Sequence, residues 1–217
     1  MSAAIQERLY WPVLVDDVKR FCKNCFTCQV SKGSSDANAG EIQHFQATRP
    51  FQMVALDIVG PLPKTELGHQ YNLTIIDRFT RYAAAVSLKT NTSKDITLSF
   101  ANEWIYCHGV PETILSDNGT QFKGKIANLM SRLMGVKQLL TSSHHPQTNG
   151  MLERFRRYVK ERLVTIAVDR NLDFTNNGDW TLFLPAIVAS YNVTPNKMSK
   201  VSPHELVYGE KIVHWNH

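Results

Sequence analysis

The chain has 217 residues, a net charge of +5, 43% apolar residues and 10% aromatics, which suits one sizeable folded domain plus a small appendage and excludes a wholly disordered chain. No apolar run reaches the about 18 residues of a membrane span, and no leader pattern opens the chain, so an intracellular protein, nuclear or cytoplasmic and not membrane-inserted, is expected. The charge is uneven: residues 119–163 hold nine Lys and Arg against two Glu, and such a local positive field suits a polyanion such as nucleic acid, with a solvated basic face as the plain alternative.

Residues 10–30, "YWPVLVDDVKRFCKNCFTCQV", predict a short helix after Pro12 with Val15, Val18 and Phe21 or Cys22 at helical spacing. Cys22, Cys25 and Cys28 form a CxxCxxC cluster, which in an intracellular chain points to metal before disulfide. The following "SKGSSDANAGE" has turn-forming composition and no periodicity, and reads as a linker.

From Phe51 the pattern becomes that of a sheet. "FQMVALDIVG" is a nearly continuous apolar run, as for a central strand, and "YNLTIID" and "RYAAAVSL" predict two more strands across a turn at residues 78–80. "SKDITLSFANEWIYCHG" predicts a helix with Ser93 as N-cap and Gly109 as terminator, in which Cys107 is a buried small residue. "PETILSDNG" is a short strand, "FKGKIANLMSRLMG" a helix, "VKQLLT" a strand and residues 149–168 a long helix; "DWTLFLPAIVASYNV" predicts another helix, kinked at Pro185. This order implies a mixed sheet with an antiparallel meander at one end, flanked by helices.

Three carboxylates stand out. Asp57 interrupts an apolar strand, where a charge is costly unless a cation or donor meets it. Asp117 opens "SDNG", which is ordinary turn chemistry, or else a strand delivers it to the sheet edge where ligands collect. On the last long helix, Leu152, Phe155, Val159, Leu163 and Ile166 form one apolar stripe, while Glu153, Arg156, Arg157 and Lys160 share another face about 120° away. A Glu153–Arg157 pair at i,i+4 is the bland reading; it leaves further cations on that face, which phosphates would supply with partners. Asp77, between strand and turn near Arg78 and Arg81, reads as a turn-stabilising ion pair outside any such site.

Asp57, Asp117 and Glu153, the last two separated by 35 residues and set in "LDIVGPLP", "ILSDNGTQF" and "HHPQTNGMLERFRR", together resemble the integrase catalytic core of long-terminal-repeat retroelements of the Ty3/gypsy type. "YWPVLVDDVKRFCKNCFTCQVSK" resembles the second half of that family's His-His-Cys-Cys zinc module, and "YNVTPNKMSKVSPHELVYG" its post-core ending. The resemblance implies an α/β, RNase H-like fold with a mixed five-stranded sheet, preceded by an incomplete helical zinc-module remnant. The corresponding divisions are a partial zinc module over residues 1–32, a linker over 33–50, the catalytic core over 51–210 and a tail over 211–217.

It further implies metal-dependent polynucleotidyl transfer that joins retroelement DNA 3′ ends into target DNA. Asp57, Asp117 and Glu153 would hold two Mg²⁺ or Mn²⁺ ions, hard cations suited to carboxylates. Asn149, Arg156, Arg157 and Lys160 would position DNA, and Asn118 and Gly119 would shape the turn beside the metals; a homo-oligomer acting on element-end and target DNA is expected. Cys25 and Cys28 match the zinc pair, but a four-coordinate site needs two more ligands. Cys22 offers a third and the nearest histidine, His44, lies beyond the "SKGSSDANAGE" stretch, so the residues present fall short of a complete zinc set. With those histidines and the family's C-terminal DNA-binding domain missing, the chain reads as a fragment or truncated copy. A rival reading is therefore a catalytically silent, truncated or domesticated DNA-binding remnant. His144 and His145 remain without a role.

Overall fold

The computed structural model describes residues 5–6, 9–25, 47–117, 135–141, 150–175, 178–197 and 199–212. Residues 33–46 of the expected linker, all but the last residue of the expected helix over 122–135, and the positions of Cys28, Asn118, Gly119, His144, His145 and Asn149 lie outside the described residues.

Five strands form one sheet in the order β3-β2-β1-β4-β5: β1 (Met53–Val59), β2 (Tyr71–Asp77), β3 (Ala83–Leu88), β4 (Thr113–Asp117) and β5 (Lys137–Thr141). β1, β2 and β3 pair antiparallel, whereas β4 runs parallel to β1 and β5 parallel to β4. The expected meander and mixed sheet are both present.

Alternation along β1 sorts its side chains between two cores. Met53 and Ala55 join Ile76, Ala83 and Leu115 on one face, under Leu152, Phe155 and Val159 of helix α3 (Gly150–Asp169) and Leu184 and Ile187 of α4 (Leu184–Val193). Val54 and Leu56 face the other way with Leu73 and Ile75, against Ile96, Phe100, Trp104 and Ile105. Those last four belong to α2 (Ser93–Phe100) and the π-helical turn Ala101–Ile105 that continues it. The expected α3 stripe is borne out: Leu152, Phe155 and Val159 are buried, and Leu163 and Ile166 pack against them.

Local details depart from expectation for definable reasons. The cap of α2 is Thr92, whose side chain accepts from the Asp95 N–H, one residue before the expected Ser93; Gly109 does end the segment at φ 85°. Pro185 does not kink a long helix. It falls in the first turn of α4, where no N–H is needed, and a 3₁₀ turn over Trp180–Phe183 leads in. Cys107 is exposed, not buried, because the five-residue π turn rotates the following residues outward relative to a regular helix. Near the N-terminus, α1 (Leu14–Asn24) forms as expected, with Leu14 and Val18 buried but Phe21 exposed. A short helix, α5 (Pro203–Tyr208), is the last helix among the described residues.

Candidate active site

Asp57 lies near the end of β1 with the parity of Met53 and Ala55, and therefore on the α3 face. Its register partner on β2 is Thr74, whose hydroxyl donates to the Asp57 main-chain oxygen at 3.0 Å. The Ile58 N–H donates to Asp57 Oδ1 at 2.8 Å, which fixes the carboxylate rotamer. On β4, Ser116 pairs with Leu56, so the next residue, Asp117, occupies the register position beside Asp57 on the neighbouring strand. A parallel β1–β4 pair in the middle of the sheet thus brings two acids distant in sequence to the same end of adjacent strands.

Glu153 is exposed on the first turn of α3, next to buried Leu152. The Glu153–Arg157 ion pair is absent among the described residues; the pair that forms runs from Arg156 to Asp57, with Nη1 donating to Oδ2 at 3.1 Å. The Asp57 side chain is 18% exposed and that of Arg156 46%, so the contact is partly shielded from water and ties α3 directly to the first acid. Glu153, Arg156, Arg157 and Lys160 all line one cleft of about 800 Å³ between α3 and the Val59–Pro63 loop.

That loop is shaped by Gly60, at φ +150°, where a Cβ would come within 2.5 Å of Tyr71 Cδ1. Trp180 Nε1 donates to the Pro63 carbonyl at 2.8 Å and anchors its far end.

Asp77 stands apart from this cleft, as expected, but by a different device. It is fully buried on the opposite sheet face, where it accepts from the Phe51 N–H at 3.0 Å and from the Thr80 N–H and hydroxyl at 2.8 and 2.6 Å. Hydrogen bonds, which a buried carboxylate needs in number, take the place of the expected turn ion pair.

Sequence reasoning missed two features. Arg156 serves as the counter-ion of Asp57, a contact between residues 99 apart in sequence that helix periodicity cannot reveal. Arg78, Arg81 and Arg154 form a second cationic group. Burial, then the charge of Arg154, lowers the Arg78 pKa. Tyr191, raised chiefly by burial, has Arg81 and Arg154 opposing that shift. Among the described residues, no three His, Cys, Asp or Glu side chains gather as a metal cluster; Cys25 is half-buried just beyond the end of α1.

Two family models match the chain: an integrase core domain over residues 47–146 and an integrase zinc binding domain over residues 1–34. Among curated relatives, the Pol polyprotein of transposon 412 from Drosophila melanogaster is 27% identical over 95% of this chain. The Gag-Pol polyprotein of feline leukemia virus is 30% identical over 65% of it. The chain spans 16% and 8% of the length of those relatives. The HTLV-2 integrase catalytic core domain, solved in complex with magnesium in a trimeric form, superposes with a TM-score of 0.60 at 16% identity, over 74% of this chain and 99% of that one. A simian T-cell lymphotropic virus intasome gives 0.66, also at 16% identity, over 98% and 72%. These likenesses establish the integrase-core, RNase H-like fold, and the two matched domains in their order make the chain a member of the integrase family of retroviruses and retrotransposons.

Proposed function

We propose that this chain carries out polynucleotidyl transfer, joining the 3′ ends of retroelement DNA to target DNA, with Asp57, Asp117 and Glu153 as ligands of Mg²⁺ or Mn²⁺. The observation that carries this reading is the position of Asp57: a shielded carboxylate, beside the register position of Asp117, whose charge is balanced by an arginine from the helix that bears Glu153. An all-oxygen donor set suits a hard divalent ion. When bound, two such ions would lower the pKa of the attacking hydroxyl and neutralise charge on the phosphate being transferred.

The protein's own part is positioning. Thr74 and the Ile58 N–H hold Asp57 at a fixed angle to the strand. Arg156, Arg157 and Lys160 meet the DNA phosphates, and Arg156 exchanges Asp57 for a phosphate oxygen as the substrate seats. Because the chain needs no covalent link to DNA, no nucleophilic serine or cysteine enters the scheme.

Element-end DNA, target DNA and a second copy of the chain are the partners this reading requires. Its domain divisions are a partial zinc module over residues 1–32, with Cys25 and Cys28 as the available thiolates, a linker over 33–50, the core over 51–210 and a tail over 211–217. The match to an integrase zinc binding domain supports the first of these, and the core-domain match supports the third. Among the described residues no helix is long and apolar enough to cross a membrane.

The test supplies purified chain with element-end duplexes and Mg²⁺ or Mn²⁺. Strand joining is expected, with a loss of at least about a hundredfold for Asp57→Asn, Asp117→Asn or Glu153→Gln. Joining that survives Asp117→Asn overturns the assignment. Salt-sensitive DNA binding without joining, even in manganese, marks a silent DNA-binding remnant instead.

A further inference from the structure

The cleft beside the candidate site has a second half that phosphate chemistry does not use. Glu153, Arg156, Arg157 and Lys160 edge one end. Beyond them the lining becomes apolar, with Pro61 and Leu62 of the loop facing Val164 and Ala167 of α3, and with Phe174 further along. The wall opposite α3 is preformed, since Gly60 admits no side chain and Trp180 clamps Pro63. At about 800 Å³ the cleft is in the range of small-molecule sites.

Its strand side holds an anomaly. Asn72 lines the cleft and is only 2% exposed, yet its buried Oδ1 has no hydrogen-bond donor. Buried acceptors are nearly always satisfied, so an unmet one in the wall of an open cleft calls for a donor from the occupant. The Asn χ2 torsion is broad, which lets the amide turn its oxygen to the occupant. An aliphatic side chain from another protein would fill the apolar half but leave this acceptor unmet and the cations unused. A flat heteroaromatic ring with N–H donors on its edge and a phosphate attached meets all three.

We propose that the apolar half of this cleft receives one unstacked nucleobase, whose amino or ring N–H edge donates to Asn72 Oδ1 while phosphates of the same strand lie on Arg157 and Lys160. The base inserts between Pro61 and Leu62 on one side and Val164 and Ala167 on the other, with Phe174 also in the lining. This rests on the DNA-binding reading above and adds to it a subsite for a base taken out of its stack. Unstacking costs less at a frayed or single-stranded end than within a duplex, so the subsite favours DNA ends.

The experiment measures binding of short single-stranded oligonucleotides to the full chain without divalent metal, comparing a base-bearing strand with one of equal length carrying abasic sites. The backbone charge is identical, so the difference reports the base alone. The wild type is expected to bind the base-bearing strand about tenfold tighter. Ala167→Trp, which fills the apolar half and spares every cation, is expected to abolish that difference while the abasic strand binds as before, which also shows the variant to be folded. Asn72→Leu keeps the cleft's shape and is expected to shrink the difference by severalfold. Equal binding of the two strands by the wild type, or a difference that survives Ala167→Trp, overturns the proposal and leaves the polynucleotidyl-transfer reading standing. Absence of binding to either strand overturns both.

Discussion

Arg156 occupies the face of α3 expected for phosphate contact, yet its guanidinium rests on Asp57 at 3.1 Å. A cation there competes with any metal for the same carboxylate. Arg156→Gln is therefore expected to tighten Mn²⁺ binding in the absence of DNA by about twofold to fivefold, the range for a partly exposed pair. DNA affinity should fall, and the slope of its logarithm against log salt should flatten by about one contact. Calorimetric metal titration and salt-dependent DNA binding read the two effects separately; unchanged metal affinity would show that the pair does not guard the site. At this scale, Asp57 stood out because a carboxylate inside an apolar strand breaks a pattern, whereas Glu153, an ordinary exposed helix residue taken alone, became a candidate only through the resemblance that its motif shares with those of the other two acids. Asp77 broke the same pattern and proved structural, since a sequence does not show whether local N–H groups will satisfy an acid. The Arg156 contact was illegible because it joins two elements whose relative placement only tertiary packing sets.

Among the elements, β3 is an edge strand of the sheet, and Asn192 of α4 hydrogen-bonds to its backbone. Asn192, 5% exposed, accepts from the Ala83 N–H at 2.9 Å and donates to the Ala83 carbonyl at 2.8 Å, imitating a neighbouring strand for one residue. Such an amide closes an edge to pairing with other chains. Asn192→Leu should cost about 1–3 kcal/mol in denaturant unfolding, the penalty for stripping partners from buried polar groups, and should raise aggregation; an unchanged midpoint would show that water replaces it freely. Strand and helix positions were largely readable from period-two and helical spacing. The π turn at Ala101–Ile105 was not, because one added residue in a helix leaves composition and capping signals intact while turning Cys107 outward.

Across the whole molecule, an aromatic cluster on the face opposite the acids joins parts of the chain far apart in sequence. His108 stacks on Phe51 at 4.5 Å and meets the edges of Trp104 and Tyr82, and Tyr82 contacts Tyr208 of α5. Burial lowers the His108 pKa below 6.5, against a smaller opposing pull from Asp77. The folded state therefore holds the neutral ring, and below pH 6.5 the unfolded chain binds the extra proton. Stability from this group is complete above that pH and declines as pH falls toward the lowered value. His108→Phe should flatten the wild-type decline between pH 6.5 and 5 in thermal unfolding; an identical slope in the variant would assign the decline to other groups.

The division of β1 between two cores also decides which copying errors such a gene survives. Adding or losing one codon between Met53 and Asp57 would turn the acid toward Phe100 and Trp104 and send a core residue into the cleft, because neighbours in a strand face opposite ways. The same slip in the 65–69 turn, where Gly68 bends the chain at φ +87°, would leave both faces in register. Lineages of this sequence should accordingly accumulate length changes in the turn while β1 keeps its length, a bias countable among sister copies.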